Sequence, residues 1–382
     1  MTALPAASPT PTPPAIRPAT TQDIDALLAL ENRTFETDRL TRRNFQYLLT
    51  RAHAACLIAE RDGRMLGYVL VLFRRGTSLA RLYSLAVAAE GRGLGVGRLL
   101  LEAAEQAAEE NDAWLMRLEV RPDNAPAIRL YESAGYHSFG RYLDYYEDHM
   151  EALRYEKRLR PHVTPPEPRI SYYSQTTDFT CGPAALMMAM AALDPATPMG
   201  PRLELQLWRE ATTIFMTTGP GGCGPYGMAL AAHRRGFRTD LYVNNEAPFF
   251  VHTVRNEEKR RVLQRVSQDF QEQLAESDIE IHRRALTVQE MTDLIDQGAM
   301  PIVLISLFRM YREHVPHWVV VHAHDSRFVY AHDPLVDPDH LELISDKANM
   351  PIPKSEFDRM ARFGRNGLRA ALVIRRREQK AT

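Results

Sequence analysis

The sequence predicts an α/β protein of two domains, each a mixture of helices and strands. Three observations predict it. A stretch near the middle, Pro161-His-Val-Thr-Pro165-Pro166-Glu-Pro168, can extend neither a helix nor a central strand. Before it, short strand-like runs alternate with amphipathic helices around one glycine-rich turn. After it, an apolar helical run comes first and β-rich runs come last, with helical segments between. At 382 residues the chain is long enough for two ordinary cores. The expected divisions are a tail over 1–14, a first domain over 15–157, a linker over 158–169, a second domain over 170–376 and a tail over 377–382.

Composition excludes several classes. The formal net charge is −1, so there is no basic surplus for broad nucleic-acid binding. Three cysteines, far apart, make no disulfide framework and point to a reducing, cytoplasmic setting. Residues 1–14 are small and proline-rich, without the basic start and apolar middle of a signal peptide. No apolar run approaches the roughly 20 residues a membrane span needs.

In the first domain, Ala15 to Ala19 is a short strand, and Thr20 or Thr21 can cap a helix with Ile24, Leu27, Leu28 and Leu30 on its apolar side. Two strands, 54–60 and 65–73, flank Asp62-Gly63, a hairpin signal. Cys56 falls inside one of them and reads as core. A strand over 82–88 runs into Glu90-Gly91-Arg92-Gly93-Leu94-Gly95-Val96-Gly97-Arg98. That loop opens a helix with Val96, Leu99, Leu100, Ala103 and Ala107 at helical spacing. A strand, a glycine turn and a helix start present backbone N–H groups to a phosphate, and glycine permits close approach. The spacing is that of neither a dinucleotide fingerprint nor a P-loop. A strand over 114–120 ends in Glu119-Val120-Arg121. Then comes Asp123-Asn124-Ala-Pro-Ala-Ile-Arg-Leu-Tyr131-Glu-Ser-Ala-Gly135-Tyr136.

Arg92-x-x-Gly95-x-Gly97, then Glu119-Val-Arg, then Asn124-x-x-Ala-x-x-Leu-Tyr131-x-x-x-Gly135-Tyr136 resemble the GCN5-related N-acetyltransferase (GNAT) family, and within it the branch that acetylates the N-terminal alanine of a ribosomal protein. The resemblance covers 15 to about 157. It implies a mixed, bent sheet that binds acetyl-CoA as co-substrate. Backbone N–H groups from Leu94 to Arg98 would hold the pyrophosphate, within a loop that includes Arg92, Gly93, Gly95, Val96 and Gly97, with Asn124 nearby. The strand Leu85-Ala86-Val87 would pair with the pantetheine arm. Tyr131 would be the acid for the departing thiolate and Glu119 the base for the amine.

In the second domain, Gln175-Thr-Thr-Asp-Phe-Thr-Cys181-Gly182-Pro183 precedes the apolar run Leu186 to Leu193. A thiol at a helix start meets unpaired N–H groups and the positive dipole end, both of which favour thiolate. Gln175 can offer an N–H to an oxyanion. Cys223-Gly224-Pro225 repeats the pattern and competes for the role. Cys181 is preferred for its upstream glutamine and stronger helix. Residues 194–225 read as loop-rich, a helix follows to Arg235, 257–277 forms a long amphipathic helix, and Thr287-Val-Gln-Glu290 is a capping box. The run 301–308 is a buried strand. Two β-rich runs then flank Asp325; a hairpin centred there sets His317 opposite Asp333, where a carboxylate can orient an imidazole. Cys181, His317 and Asp333 thus form a candidate nucleophile, base and orienter. Several other histidines crowd this region, but no ligand pattern for a metal accompanies them.

Gln175-x₅-Cys181-Gly-Pro-Ala, His317-Trp-Val-Val and Asp333-Pro334 resemble the papain-like cysteine peptidases that cleave double-glycine leaders from bacteriocin precursors. The resemblance spans about 170–375 and implies a papain-like fold with Gln175 in the oxyanion hole. Those peptidases are usually joined to a membrane exporter, which is missing here, and 255–277 looks like an insertion. The whole chain is similar to bacterial fusions of the two domains, some encoded beside ATP-grasp peptide ligases, which makes such a ligase a possible partner. Three readings of the second domain stay open at this point: hydrolase, peptide-binding module, or transamidase.

Overall fold

The computed structural model describes residues 13–160, 170–212, 221–245, 249, 256–337 and 341–377. Most of the expected N-terminal tail, the proline-rich stretch, most of the loop before Cys223, His340 and residues 378–382 lie outside them. The chain divides into two compact units, one mainly from residues up to 162 and one mainly from 163 onward.

The first unit runs β1 (Ala15–Pro18), α1 (Ile24–Thr34), α2 (Arg42–Thr50), β2 (Ala54–Arg61), β3 (Arg64–Phe73), β4 (Leu79–Val87), α3 (Val96–Glu110), β5 (Leu115–Val120), α4 (Ala125–Ser133), β6 (His137–Tyr142) and β7 (Ala152–Arg158). The sheet order is β1-β2-β3-β4-β5-β7-β6, antiparallel except for β4 with β5. The β2–β3 hairpin closes on Asp62 and Gly63, both with positive φ (52° and 73°), the turn whose twist suits two strands. Helix α2 was not expected. Thr41 and Asn44 cap each other reciprocally there, with Asn in place of the usual Glu or Gln. The buried stripe of α3 is Val96, Leu100, Leu101, Ala104 and Ala108, so Leu99, Ala103 and Ala107 flank it rather than centre it.

The second unit runs α5 (Cys181–Leu193), α6 (Pro201–Ala211), α7 (Pro225–Arg234), β8 (Phe237–Val243), α8 (Glu257–Ala275), β9 (Glu280–His282), α9 (Val288–Asp296), β10 (Met300–Ser306), α10 (Phe308–Tyr311), β11 (Pro316–His324), β12 (Phe328–His332), α11 (Ile344–Lys347), β13 (Met350–Pro353), α12 (Lys354–Met360) and β14 (Ala370–Arg376). The sheet order is β13-β12-β11-β10-β14-β8-β9, with only β8 and β9 parallel. Both faces are covered. Ile302 and Leu304 of β10 join the core under α5, α6 and α7, while Val303 and Ile305 join the core under α9 and α12. Double burial explains why β10 is apolar from Met300 to Ile305.

Three expectations for this unit need correction. The stretch after α5 is not merely loop, because α6 lies in it, opened by Pro201 as its first residue. Thr287 caps α9 by accepting from the Glu290 N–H (3.2 Å), but the Glu290 carboxylate turns to Arg284, so only half a capping box forms. The hairpin register also differs. Val320 pairs with His332 and Val321 with Ala331, and a bulge at His322 then shifts the ladder. The turn is closed by Asp325, whose Oδ1 accepts from the Arg327 and Phe328 N–H groups (both 2.7 Å). That register sets position 333 level with 319, two residues from His317 on the same face, so the two meet diagonally rather than directly opposite.

Candidate active sites

Cys181 is the first residue of α5, after the N-cap Thr180. Helix α5 packs on β11, and His317 stands at the start of that strand. Glycine at 182 permits this approach: an added Cβ would stand 2.7 Å from Met228 Sδ and 3.3 Å from Trp318 Cδ1. The charge of His317 acts on the Cys181 thiol, and its Nε2 lies 2.6 Å from Asp333 Oδ1. Histidine and aspartate are 3% and 0% exposed.

Burial opposes the Cys181 thiolate. The charge and hydrogen bond of His317, with N–H groups of Trp318 and Gly182, outweigh it and hold the thiol below its ordinary pKa. Burial also pushes His317 down, but Asp333 and Cys181 carry it up to about 10. The other two cysteines behave oppositely. Burial pushes Cys56 up to about 12. Burial, and then the charge at Cys181, push Cys223 well above the thiol range. Cys223 packs against Gly182, and its carbonyl accepts from Trp318 Nε1 (3.2 Å), so it serves here as packing.

Gln175 sits beside the carboxylate segment: its backbone N–H donates to the Pro334 carbonyl (2.9 Å). Its Nε2 donates to the Thr177 carbonyl (2.8 Å), which commits one amide hydrogen within the loop and leaves the other. Among the described residues no group of three His, Cys, Asp or Glu side chains is set to hold a metal.

Two supporting groups were invisible in the sequence. Glu204 of α6 is fully buried and accepts from the Thr176 N–H (2.8 Å), Thr176 Oγ1 (2.7 Å), Tyr173 OH (2.9 Å) and Thr180 Oγ1. It ties down the loop that carries Gln175 and caps the Cys181 helix. A lone glutamate in an amphipathic helix reads as solvated, and nothing local marks it. Glu204→Ala would leave the buried Thr176 N–H and its neighbours unpaired. The expected loss is about 3 kcal/mol of stability in the second unit, read by chemical denaturation; a change below about 0.5 kcal/mol would show the loop is held otherwise. Lys347, also fully buried, bonds Glu342 Oε2 (2.7 Å) and approaches Asp333 Oδ2 (3.5 Å). It meets the second oxygen of the carboxylate that orients His317.

In the first unit, β4 and β5 pair only over Leu79–Arg81 with Leu115–Arg117. Beyond Arg81, β4 stays bonded to β3 as far as Val87 but has no β5 partner. Leu85, Ala86 and Val87 therefore present an open edge where two parallel strands part, the usual place for a ligand in such sheets. The glycine loop and α3 follow at that end. Gly93 and Gly95 both have φ of 74°, and a Cβ added to either meets nothing within 4 Å. Leu94 differs from expectation: its N–H is used in the turn, donating to the Gly91 carbonyl (3.3 Å). Gly95, Val96, Gly97 and Arg98 precede the first helical bond, from the Leu99 N–H to the Gly95 carbonyl, so their N–H groups are the helix's free donors. The Arg92 side chain is exposed. The Arg98 side chain pairs with Glu102, and the Asn124 carboxamide accepts from the Ala127 N–H (3.2 Å) as the cap of α4.

Tyr131 on α4 is buried, and burial lifts its hydroxyl pKa far above the ordinary value. Glu119 is not a solvated strand-end carboxylate. Its side chain is 3% exposed, Oε2 accepts from Arg81 Nε (2.8 Å), and Oε1 has no partner among the described residues.

The comparisons assign the first unit to the N-acetyltransferases and the second to a peptidase-like family. The chain belongs to the Peptidase_C39 like family, whose model matches residues 170–375, and by its first unit to the acetyltransferase (GNAT) family, matched over residues 22–136. It is 33% identical over 138 residues to a Bacillus subtilis relative provisionally named as a ribosomal protein bS18-alanine N-acetyltransferase, spanning 36% of this chain and 89% of the relative. It is 32% identical over 148 residues to an N-alpha-acetyltransferase of Sulfurisphaera tokodaii, spanning 36% of this chain and 88% of that one. Among solved structures, the ribosomal-protein-S18-alanine N-acetyltransferase of Escherichia coli aligns with 24% identity and a TM-score of 0.36, covering 39% of this chain and 96% of that one.

Proposed function

We propose that the chain carries two activities. The first unit transfers acetyl from acetyl-CoA to the α-amine of a peptide or protein, and the second hydrolyses a peptide or amide bond through Cys181. For the second unit one observation carries the reading: of three cysteines only Cys181 has a lowered thiol pKa, beside a buried histidine bonded to a buried carboxylate. The thiolate attacks a carbonyl carbon, and the remaining Gln175 amide hydrogen stabilises the oxyanion. His317 gives its proton to the leaving amine, and a thioester forms on Cys181. His317, now neutral, takes a proton from water, which attacks the thioester and frees the acid. Asp333 keeps the ring oriented throughout.

For the first unit, the open edge of β4 and the φ-positive glycines fit acetyl-CoA: the space a side chain would fill beside Gly93 and Gly95 is clear. The N–H groups of Gly95 to Arg98 would hold the pyrophosphate, and Leu85 to Val87 the pantetheine. Acetyl-CoA would supply the acetyl thioester. Glu119 Oε1 accepts the proton of the attacking amine, and Tyr131, kept protonated by burial, donates to the departing sulfur. The α-amine acceptor is supported by the relatives, which are named as N-alpha-acetyltransferases.

A peptide library incubated with and without acetyl-CoA tests both readings by mass spectrometry. Cleavage should vanish in Cys181→Ala while acetylation persists. Tyr131→Phe should lower kcat for acetylation by about 10²-fold with acetyl-CoA affinity unchanged. Wild-type turnover in Tyr131→Phe would remove the acid role, and cleavage surviving in Cys181→Ala would remove the hydrolase.

A further inference from the structure

Charged side chains gather on one face of the first sheet, among them Arg81, Arg117, Glu119, Arg154 and Glu156. The registers Arg81↔Arg117, Arg117↔Glu156 and Glu119↔Arg154 set them side by side on β4, β5 and β7. Arg81, Arg117 and Arg154 stand around Glu119 and Glu156, and His137 of β6 also reaches Glu156 (3.5 Å). Arg81 holds Glu119 (2.8 Å) and Arg117 holds Glu156 (3.3 Å). Arg154 is the surplus. It makes no hydrogen bond or ion pair among the described residues, and its guanidinium lies against the rings of Phe139 (4.3 Å) and Tyr142 (4.2 Å). Burial, with the charge of Arg117, pulls its pKa below the ordinary arginine value despite the nearby Glu119 and Glu156.

Among the described residues, three buried polar atoms on this face have no partner: Arg154 Nε, Tyr142 OH and Glu119 Oε1. Two are donors and one, on the Glu119 carboxylate, is an acceptor. They come from β7, β6 and β5, which are neighbours in the sheet. A half-buried cation without an ion-pair partner is costly, so the site gains from a ligand that brings an anion. Glu119 and Arg154 are directly opposed, with Cβ atoms about 5 Å apart. An amine and a carboxylate a few bonds apart would satisfy both at once.

We propose that the acceptor subsite selects peptides whose first residue is Asp or Glu. The α-amine meets Glu119 Oε1, and the side-chain carboxylate accepts from Arg154 and the Tyr142 hydroxyl. The assignment rests on the reading of Glu119 as the base for acetyl transfer. A neutral first residue leaves Arg154 unpaired, and a lysine opposes it with like charge.

The test uses the full chain and three peptides differing only in a first residue of Glu, Gln or Lys. It measures kcat/KM for acetylation in wild type, Arg154→Gln and Arg154→Lys, with acetyl-CoA affinity in each. The expected result is a Glu-over-Gln preference of at least about tenfold in wild type, as a charge-assisted pair predicts. The preference should fall toward unity in Arg154→Gln and partly survive in Arg154→Lys, at unchanged acetyl-CoA affinity. Equal rates on Glu and Gln in wild type overturn the proposal without needing any variant, and so does a preference that survives Arg154→Gln. If the underlying reading is what fails, the pattern differs: all three peptides go unacetylated while acetyl-CoA still binds, and the subsite falls with it.

Discussion

Iodoacetamide at pH 6 is expected to label Cys181 and to leave Cys56 and Cys223 unmodified. The thiolate is the reactive form, and an unperturbed thiol near 8.5 is less than about 1% ionised at pH 6. Cys56 and Cys223 are pushed above that range by burial, so they fall further behind. Cys181 is lowered by His317, so its labelling rate should rise as pH climbs through the lowered value. It should then stay flat until His317 loses its proton near pH 10. His317→Ala removes the largest lowering influence and leaves the burial, opposed only by the Trp318 and Gly182 N–H groups. Labelling should then climb only above the ordinary thiol range, and the rate at pH 6 should drop on the order of 100-fold. Asp333→Asn should act in the same direction, through the ring it orients (2.6 Å). Fast labelling of Cys223, or a His317→Ala profile matching wild type, would be incompatible with a thiolate–imidazolium pair.

Gly95→Val is expected to abolish measurable acetyl-CoA binding. No protein atom stands within 4 Å of a Cβ at this position, so a clash inside the fold is not the cause. Two other effects are. Valine at φ of 74° takes a backbone conformation that costs a β-branched residue about 1–3 kcal/mol. Its isopropyl group also stands in the space through which a phosphate must approach the N–H groups that open α3. Together they should raise the dissociation constant by more than about 100-fold in calorimetry. Cys181 labelling in the same variant should be unchanged, which confirms that the second unit is intact. Acetyl-CoA affinity at the wild-type level would reject the glycine loop as the phosphate cradle.

Much of this was legible in the chain because it is local. The Asp62-Gly63 hairpin, the glycine loop opening α3, the cysteine opening α5 and the thiol's competitor at Cys223 all depend on neighbours a few residues away. The families were legible for the same reason, since their motifs are short and ordered. Helix α2 escaped because its capping box uses Asn44. Helix α6 escaped because Pro201 was read as loop rather than as a helix's first residue. The hairpin argument brought His317 and Asp333 together through the wrong register, since a bulge at His322 cannot be read from alternation. The contact survived because a diagonal neighbour on the same face is still within reach.

What residue order alone decided was which groups exist at helix starts, turns and strand ends: Cys181 at a positive dipole end, Gly95 at a left-handed turn, Tyr131 on the helix after Glu119. What only the tertiary structure decided was their electrostatic state. Whether Cys181 ionises depends on His317, 136 positions away in the chain and adjacent only because α5 packs on β11. Whether Glu119 is solvated or buried depends on Arg81, and whether Arg154 has a partner depends on which carboxylates the sheet register brings beside it. Coulomb energies and desolvation act through distance in space, and sequence separation carries no information about that distance once strands pair across the fold.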